Sequence, residues 1–385
     1  MDPVTHALLG GTMAVLFTPR PRLITASVVG GCAALLADLD VLIHSSQDPL
    51  LQLEFHRQFT HALLFTPVGG LVAALLLWWW ARGRATFRQT WMMGCWGYVT
   101  AGPLDACTSY GTQLLWPFSD LRIAWSIVPV VEPVTTILLA IFLRLALLRR
   151  RRRWAVVGGI TLGLWLGVAW LQHQRAIDMA LFWAQQRGDP VEVLHVKPTL
   201  MNLVLWRAVY KSGPDIQSVA LRPGLWEEAR LYPGERARWI DPTKPLPGIP
   251  MESVLGQDVR RFVRLSDHFV VIHPRHPQVL GDGRYAMLPH TIDPLWGITL
   301  DPNRLERHAP FDTFRAWWPE NAGVLLHMLL GREGVPAART GIKIRQSHHL
   351  FPLHTGLRPG KGHQVFRATA EAVVTGVKRH EQLTP

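Results

Sequence analysis

The stretch LITASVVGGCAALLADLDVLIH, residues 23–44, contains the pattern that decides the architecture of this chain. Its first fifteen residues are small or apolar and carry no charge, and Asp38, Asp40 and His44 follow at its end. About 20 consecutive apolar residues are enough to cross the hydrocarbon core of a bilayer. The stretch therefore predicts a membrane-spanning helix with ionisable side chains gathered at one end.

Apolar runs of this kind recur up to Gln172, and charges, Pro and Gly are spread through the sequence from His173 onward. Short β-like runs appear in the second half, at residues 191–196, 203–209 and 269–272. We predict an α-helical multi-span membrane domain over residues 1–172 and a soluble α+β or mostly β domain over residues 173–385, entered by a linking helix. The membrane domain has about six predicted spans, at residues 5–19, 23–43, 60–81, 90–108, 123–148 and 154–172.

The composition supports a membrane protein over a nucleic-acid-binding one. Hydrophobic residues make up 48% of the 385 residues and charged residues only 18%, which is more apolar than a typical soluble protein. The formal net charge of +12 is diffuse in the second half and lies in loops between apolar runs in the first half. That placement indicates membrane lipids as partners, and no nucleic acid is expected.

The distribution of arginine predicts how the chain is oriented. Ten arginines lie in the loops after the first, third and fifth predicted spans, and two, Arg57 and Arg122, lie in the loops after the second and fourth. Cytoplasmic loops collect Lys and Arg. We therefore expect a multi-pass protein of the bacterial inner (plasma) membrane whose N-terminus and C-terminal domain lie outside the cytoplasm.

With that orientation, histidines and carboxylates gather at the outer ends of the predicted spans. An ionisable residue in a membrane segment is costly and suggests a function, and imidazoles with carboxylates form a ligand set for zinc, manganese or iron. The three cysteines lack C-x-x-C spacing, so His and carboxylate would hold any metal. The residues of this group are His6, Asp38, Asp40, His44, His56, His61 and Asp105.

Spacing within this group assigns roles. Asp38 and Asp40 point in nearly opposite directions on a continuous helix, so one is expected to be a metal ligand and the other a bridging or outer carboxylate, with Asp40 preferred as ligand. His56 and His61, five residues apart, suit a loop residue and a first-turn residue that reach a common point. Arg57 between them offers a charged group for an anionic substrate oxygen.

Four ordered segments resemble the motifs of a bacterial inner-membrane family called membrane-bound metal-dependent hydrolases, and they cover most of the first 135 residues. The segments are MDPVTH at 1–6, ADLD at 37–40, HRQFTH at 56–61 and LDACTSYGTQLLWPFSD at 104–120. The resemblance implies a divalent metal, preferably zinc, and a distant relationship to zinc-dependent phospholipase C and the single-strand nucleases. It implies metal ligands at His6, Asp40, His56, His61 and Asp105, with Asp38 as the next candidate.

One departure from the family pattern affects the predicted site. The family usually has a histidine four residues before the Asp of its last motif, and Ala101 stands in that place here. The lost ligand implies a site with fewer metals, a substitute such as His44 or Glu132, or a protein that no longer catalyses. Glu132 precedes Pro133 in the fifth predicted span, where an unpaired carboxylate is expensive, so it either joins the site or is hydrogen-bonded at a proline kink.

These patterns favour metal-dependent hydrolysis at the outer membrane face, on a phosphoester or on a lipid-linked or other small-molecule substrate, with Asp38 or Asp40 accepting the proton of water. The alternative is a non-catalytic membrane protein with a structural metal or lipid-headgroup site and a partner-binding outer domain. A transporter is less favoured because the ionisable residues lie near one face instead of the bilayer midplane.

The histidines of the second half lack acidic residues at supporting spacing. We therefore predict that they lie at the surface of the outer domain and bind no metal. They are His273, His276, His290, His348 and His349.

Overall fold

A computed structural model of the chain describes residues 1–224, 227–241, 243–244, 246–315 and 319–334. Up to residue 186 the chain is mainly helical, with short 3₁₀ turns at Arg20–Arg22, Asp38–Leu42, Phe59–His61 and Leu63–Phe65. The α-helices of this part are α1 (Pro3–Leu16), α2 (Leu23–Ala37), α3 (Leu51–Phe55), α4 (Thr66–Ala81), α5 (Phe87–Tyr98), α6 (Ala101–Ala106), α7 (Pro133–Leu148) and α8 (Arg153–Gln186).

Three helical stretches of the described chain are long and apolar enough to cross a membrane: Arg20–Leu42, Leu63–Ala81 and Arg153–Gln186. They coincide with three of the predicted spans, and the count of about six is not supported. Helices α1 and α7 are apolar but shorter, with 14 and 16 residues. The predicted span 90–108 is divided between α5 and α6, and the predicted span 123–148 becomes helical only at Pro133.

The packing of α1, α2 and α5 depends on glycines that let the helix backbones touch. A Cβ atom on Gly97 of α5 would lie 2.1 Å from the carbonyl oxygen of Gly30 in α2. A Cβ atom on Gly30 would lie 2.4 Å from the Cβ atom of Ala14 in α1. Small residues at helix interfaces are typical of membrane proteins, where van der Waals packing replaces the hydrophobic effect between helices. This contact aligns the start of α1, the end of α2 and the end of α5.

After α8 the chain forms two four-stranded antiparallel sheets, each with its strands in sequence order. The three β-like runs noted in the sequence correspond to β1, β2 and β5, so a β-rich second part is confirmed. Helix α9 (Val254–Leu265) precedes the second sheet and α10 (Pro319–Leu329) follows it. The strands are β1 (Val193–Pro198), β2 (Trp206–Ser212), β3 (Asp215–Arg222), β4 (Arg230–Arg238), β5 (Val270–His273), β6 (His276–Asp282), β7 (Trp296–Thr299) and β8 (Phe311–Thr313).

Helix α8 runs through the boundary expected at residue 172 and carries the predicted linking helix as its own continuation. Its alanines Ala176 and Ala180 are fully buried in a core shared with Trp206 of the first sheet. The Arg175 guanidinium donates a hydrogen bond to the carbonyl oxygen of Gly224 at 2.8 Å. The last turns of α8 are therefore part of the C-terminal domain.

The C-terminal domain also holds the loop that leads to His56. Leu50 in this loop is completely buried and packs in the core that contains Leu255 and Phe262 of α9. The Arg261 guanidinium binds the carboxylates of Asp48 and Glu54, each at 2.9 Å. These contacts fix the loop against α9.

Two histidines of the C-terminal domain are buried, which corrects the prediction that they lie at the surface. His273 is 1% exposed, with its Nε2 atom 3.4 Å from the Oδ1 atom of Asp293, and His290 is 6% exposed. Burial lowers the pKa of His290 to about 4, so this imidazole is neutral at pH 7. Position 273 lies at the end of a buried strand, which its sequence spacing does not reveal. His348 and His349 lie outside the described residues.

Candidate metal centre

Four of the predicted site residues meet at one end of the helical part. His6 comes from the first turns of α1, Asp38 from the 3₁₀ turn that ends α2, His61 from the turn before α4, and Asp105 from α6. Each of these elements ends or begins on the same side, so the convergence predicted from the spans is present in the fold. We call these four side chains the inner set.

The inner set has the spacing of ligands around one ion. His6 Nε2 lies 3.2 Å from Asp105 Oδ1 and 4.0 Å from Asp38 Oδ1. His61 Nε2 lies 3.1 Å from Asp105 Oδ2 and 3.5 Å from Asp38 Oδ1. His6, Asp38 and Asp105 each offer a ligand atom within 4.8 Å of the other two. A single cation between them would be within reach of imidazole nitrogen and carboxylate oxygen.

Two polar atoms of the inner set, His6 Nδ1 and Asp38 Oδ2, are sealed from solvent and lack a hydrogen-bond partner among the described residues. His61 Nε2 and Asp105 Oδ2 are sealed as well, but they lie 3.1 Å from each other, and Arg57 Nε lies 2.9 Å from Asp105 Oδ2. Leaving such atoms unsatisfied is costly, and each native instance requires an explanation. A divalent cation with one or two bound waters fits this donor set, because zinc, manganese and iron accept mixed imidazole and carboxylate ligands.

Asp40 and His56 form a second layer around the inner set. His61 Nδ1 lies 3.4 Å from Asp40 Oδ2, and His56 Nδ1 lies 3.2 Å from Asp40 Oδ1. The chain is a 3₁₀ turn at Asp38–Leu42, so the two carboxylates are not on opposite sides and both reach the ring of His61. Asp40 thus contacts the nitrogen of His61 that faces away from Asp38, and Asp38 belongs to the inner set.

The guanidinium of Arg57 contacts the protein's own carboxylate. Its Nε atom lies 2.9 Å from Asp105 Oδ2, and its Nη1 atom donates to Thr108 Oγ1 at 2.7 Å. The backbone N–H of Arg57 donates to Asp40 Oδ2 at 2.7 Å. The residue adopts a φ of 57°, an uncommon value for a residue other than glycine. The Met1 α-amino group also contacts Asp105. Recognition of a substrate anion by Arg57 stays a prediction.

The structure places the two candidate substitute ligands away from the inner set. His44 is exposed, and its Nδ1 atom contacts the carbonyl oxygen of Leu42 at 3.0 Å. Glu132 is the N-cap of α7: its carboxylate accepts hydrogen bonds from the backbone of Val134 and Thr135 and, at 3.1 Å, from Trp165 Nε1. Its burial is therefore explained by hydrogen bonding at a helix start.

Ala101 is fully buried and packs against Ala33, Ala37 and Tyr98. The neighbouring Gly102 permits α6 to lie directly on the backbone of His61, since a Cβ atom there would be 2.2 Å from the His61 carbonyl oxygen. Position 101 is thus filled by tight packing of small side chains.

Tyrosines that sequence reasoning did not single out surround Arg57. The Arg57 Cζ atom lies 5.5 Å from the ring centroid of Tyr110, and the Tyr110 and His56 rings are 5.0 Å apart. Burial raises the pKa of Tyr110 to about 12, which keeps its hydroxyl protonated. From the C-terminal domain, the Tyr285 hydroxyl donates to the Ser109 carbonyl oxygen at 2.8 Å. Tyr110 lies in the fourth quoted motif, but no sequence signal connects Tyr285 with it.

Arginines lie at the ends of α2 and α4 that are opposite to the inner set. Arg22 precedes α2 and Arg82 follows α4, whereas Asp38 and His61 lie at the other ends of these helices. The Arg22 Nε atom donates to the carbonyl oxygen of Arg84 at 2.9 Å. Arg57, by contrast, is buried at the inner set. Arg22 and Arg82 are therefore separated from the His and Asp residues by the length of a helix, whereas Arg57 contacts Asp105 directly.

Residues 1–176 match the model of the family described as YdjM inner membrane protein. Comparison with curated proteins and with solved structures gives no significant match. The similarity and the three long apolar helices support a membrane location for the helical part. The match ends within α8, before the first sheet.

Proposed function

We propose that this chain, whose first 176 residues are similar to a family of inner membrane proteins, is a multi-pass membrane protein that hydrolyses a phosphoester with a divalent metal. The observation that carries the proposal is the inner set: His6, Asp38 and Asp105 from three separate elements offer ligand atoms within 4.8 Å of one another, and His61 Nε2 lies 3.1 Å from Asp105 and 3.5 Å from Asp38. The resemblance of its motifs to those of metal-dependent hydrolases agrees with this chemistry.

His6, Asp38, His61 and Asp105 would hold the metal, preferably zinc. A bound divalent cation lowers the pKa of bound water and polarises an ester or phosphate oxygen. Asp40 holds the ring of His61 from its Nδ1 side, and Arg57 holds the carboxylate of Asp105. Such outer contacts orient metal ligands and are commonly needed for affinity.

The accessible side of the inner set is that of Asp38. Its side chain is 23% exposed, whereas those of Asp40 and His61 are fully buried. A water molecule or a substrate oxygen therefore reaches the cluster past Asp38. We assign to this carboxylate, instead of that of Asp40, the acceptance of the water proton alongside its contact with the metal.

The side chains around Asp38 favour a lipid or lipid-linked phosphoester as the substrate. Leu39 lies between Asp38 and Asp40 in the sequence, and Val41 and Leu42 follow them. The exposed fractions of these three aliphatic side chains are 51%, 47% and 65%. Large exposed aliphatic side chains at a helix end face lipid in a membrane protein. A substrate held in the membrane would meet the inner set at the depth of its headgroup.

We further propose that the inner set and the outer domain lie outside the cytoplasm, in agreement with the arginines at the opposite helix ends. A reporter fused after Pro385 is expected to be active only outside the cytoplasm, and one inserted at Arg151 only inside it. The measurement is paired alkaline phosphatase and fluorescent-protein activity in cells. The reverse pattern would invert the sidedness without affecting the metal proposal.

Metal analysis of the purified protein tests the function itself. The full chain in detergent is expected to carry about one divalent ion per molecule, to lose it to a strong chelator, and to regain it with zinc. Its stability should fall on removal, because an ion bound only by the folded state stabilises that state by mass action.

Hydrolysis of phospholipid or lipid-linked phosphoester substrates in mixed micelles should follow the metal content. Metal binding without turnover of any phosphoester would favour the non-catalytic alternative. A chain that binds no divalent ion after reconstitution would overturn the metal-dependent function, however well the motifs match.

A further inference from the structure

A second group of charged side chains lies where the first sheet meets the loop that follows α6. Lys197 of β1 and Arg207 of β2 are directly opposite each other in the antiparallel register. Arg284 and Tyr285 follow β6 and complete the group. Like charges directly opposite on neighbouring strands destabilise a sheet. We call Lys197, Arg207, Arg284 and Tyr285, together with Asp282, the Lys197 cluster.

The two arginines of the cluster have their own partners. The Arg207 guanidinium donates to backbone carbonyl oxygens, among them those of Gly283 at 3.0 Å and Pro289 at 2.9 Å. Arg284 binds the Asp282 carboxylate at 2.8 Å. Asp282 is the carboxylate that favours the charged form of Lys197, and it is already bound to Arg284.

Lys197 is the member of the cluster whose positive charge is not compensated by a carboxylate or a hydrogen bond among the described residues. Its Nζ atom is sealed from solvent and has no hydrogen-bond partner among the described residues. It lies 3.0 Å from the ring centroid of Tyr285, over the face of that ring. One cation–π contact offsets only part of the cost of removing an ammonium from water. Burial, and then the charges of Arg207 and Arg284, hold the pKa of Lys197 well below its usual range.

Tyr285 connects this lysine to the metal centre. The hydroxyl of Tyr285 donates to the carbonyl oxygen of Ser109, and the adjacent Thr108 accepts a hydrogen bond from Arg57. The Lys197 cluster therefore adjoins the loop whose other contacts hold Asp105. A ligand bound at Lys197 would lie beside the region that we propose as the site of hydrolysis.

We propose that Lys197, with Arg284 and Tyr285 beside it, binds a phosphate-type anion where the outer domain meets the loop after α6. An ammonium is a compact point charge with three donors, and phosphate oxygens satisfy all three. The assignment of this anion to the hydrolase substrate rests on the proposed function; the anion site itself does not. The phosphate belongs either to a membrane lipid or to a soluble compound, and the two share this chemistry.

The test is calorimetric titration of the full chain in detergent with inorganic phosphate, after removal of metal with a chelator. Lys197→Met is expected to weaken phosphate binding about tenfold or more, since hydrogen bonds to charged groups are the strong ones. Lys211→Met is the matched control. Lys211 also faces an aromatic ring, that of Trp239, but it is paired with Glu192, so its replacement should leave phosphate affinity unchanged.

Thermal unfolding separates binding from a structural role. Without phosphate, Lys197→Met should be at least as stable as the wild type because it removes a buried, uncompensated charge. Added phosphate should stabilise the wild type and leave this variant unchanged. Equal phosphate affinity in the two proteins, or a loss of stability in Lys197→Met without phosphate, would overturn the anion site.

Two further measurements separate the anion site from the metal proposal and identify the source of the phosphate. His61→Ala should lose metal and keep Lys197-dependent phosphate binding, so the anion site can stand if the metal proposal fails. In phosphatidylcholine nanodiscs, added phosphatidic acid should compete with free phosphate if the ligand is a lipid headgroup. Absence of competition, with Lys197-dependent phosphate binding intact, assigns the site to a soluble phosphate compound.

Discussion

Replacement of Asp38 by asparagine is expected to yield a folded protein that purifies without its divalent ion and lacks any phosphoesterase activity. Asp38 Oδ1 lies 4.0 Å from His6 Nε2 and 3.5 Å from His61 Nε2, so its charge is directed at the space between the two imidazoles. Asparagine keeps the shape of the side chain and removes the charge. We expect metal affinity to fall by more than about 100-fold, beyond the range for loss of an outer carboxylate.

Asp40→Asn is the informative comparison. Asp40 contacts His56, the backbone of Arg57 and the Nδ1 side of His61, so its replacement should loosen the orientation of a ligand. We expect metal affinity to fall by about 10- to 100-fold.

The exposed Asp120 supplies a matched control, since Asp120→Asn makes the same chemical change outside the inner set. Metal content, measured by mass spectrometry on protein of equal thermal stability, checks all three variants. If Asp40→Asn removes the metal and Asp38→Asn retains it, Asp40 is the ligand, as the sequence alone suggested.

Replacement of Gly97 by alanine is expected to destabilise the helical part by about 3 kcal/mol, at the upper end of the usual cost of overpacking. The new methyl carbon would lie 2.1 Å from the Gly30 carbonyl oxygen and 2.4 Å from the Gly30 Cα atom. Both are backbone atoms and cannot rotate aside, so α2 and α5 must separate. Since α2 carries Asp38 and α5 leads into α6, which carries Asp105, metal affinity should fall together with stability.

Replacement of glycine by alanine is expected to have the opposite effect on stability at a position with open space around it. A Cβ atom on Gly163 of α8 would have no heavy atom within 4 Å among its described surroundings. Gly163→Ala should therefore be neutral or stabilising by up to about 1 kcal/mol, because alanine restricts the unfolded chain more than glycine does. Unfolding in mixed micelles under increasing sodium dodecyl sulfate compares the two. Equal stability of Gly97→Ala and the wild type would show that α2 and α5 do not touch through their backbones.

Much of the membrane part follows from local sequence. The apolar run before Asp38 dictates a helix, because only a helix satisfies its backbone groups in hydrocarbon. Asp2 and Pro3 set the start of α1, since the Asp2 carboxylate accepts from the backbone of Thr5 and Pro3 lacks the N–H that a first turn leaves unpaired. Polar residues at run ends then predict that His6, Asp38, His61 and Asp105 share one face. The length of a helix depends less on local sequence. The predicted spans at 90–108 and 123–148 are interrupted by turns and extended chain.

The tertiary structure alone decided which carboxylate joins the inner set and what surrounds it. Helical periodicity places Asp38 and Asp40 on opposite sides, but a 3₁₀ turn changes the angle between them, and packing on His61 selects Asp38. Ala101 packs against Ala33, Ala37 and Tyr98, a role that its place in the sequence does not reveal. Tyr285 reaches the loop after α6 from far along the chain, and Lys197 packs on its ring. Such contacts depend on how the sheets dock on the helices, and the local chemistry of a residue carries no information about partners a hundred or more positions away.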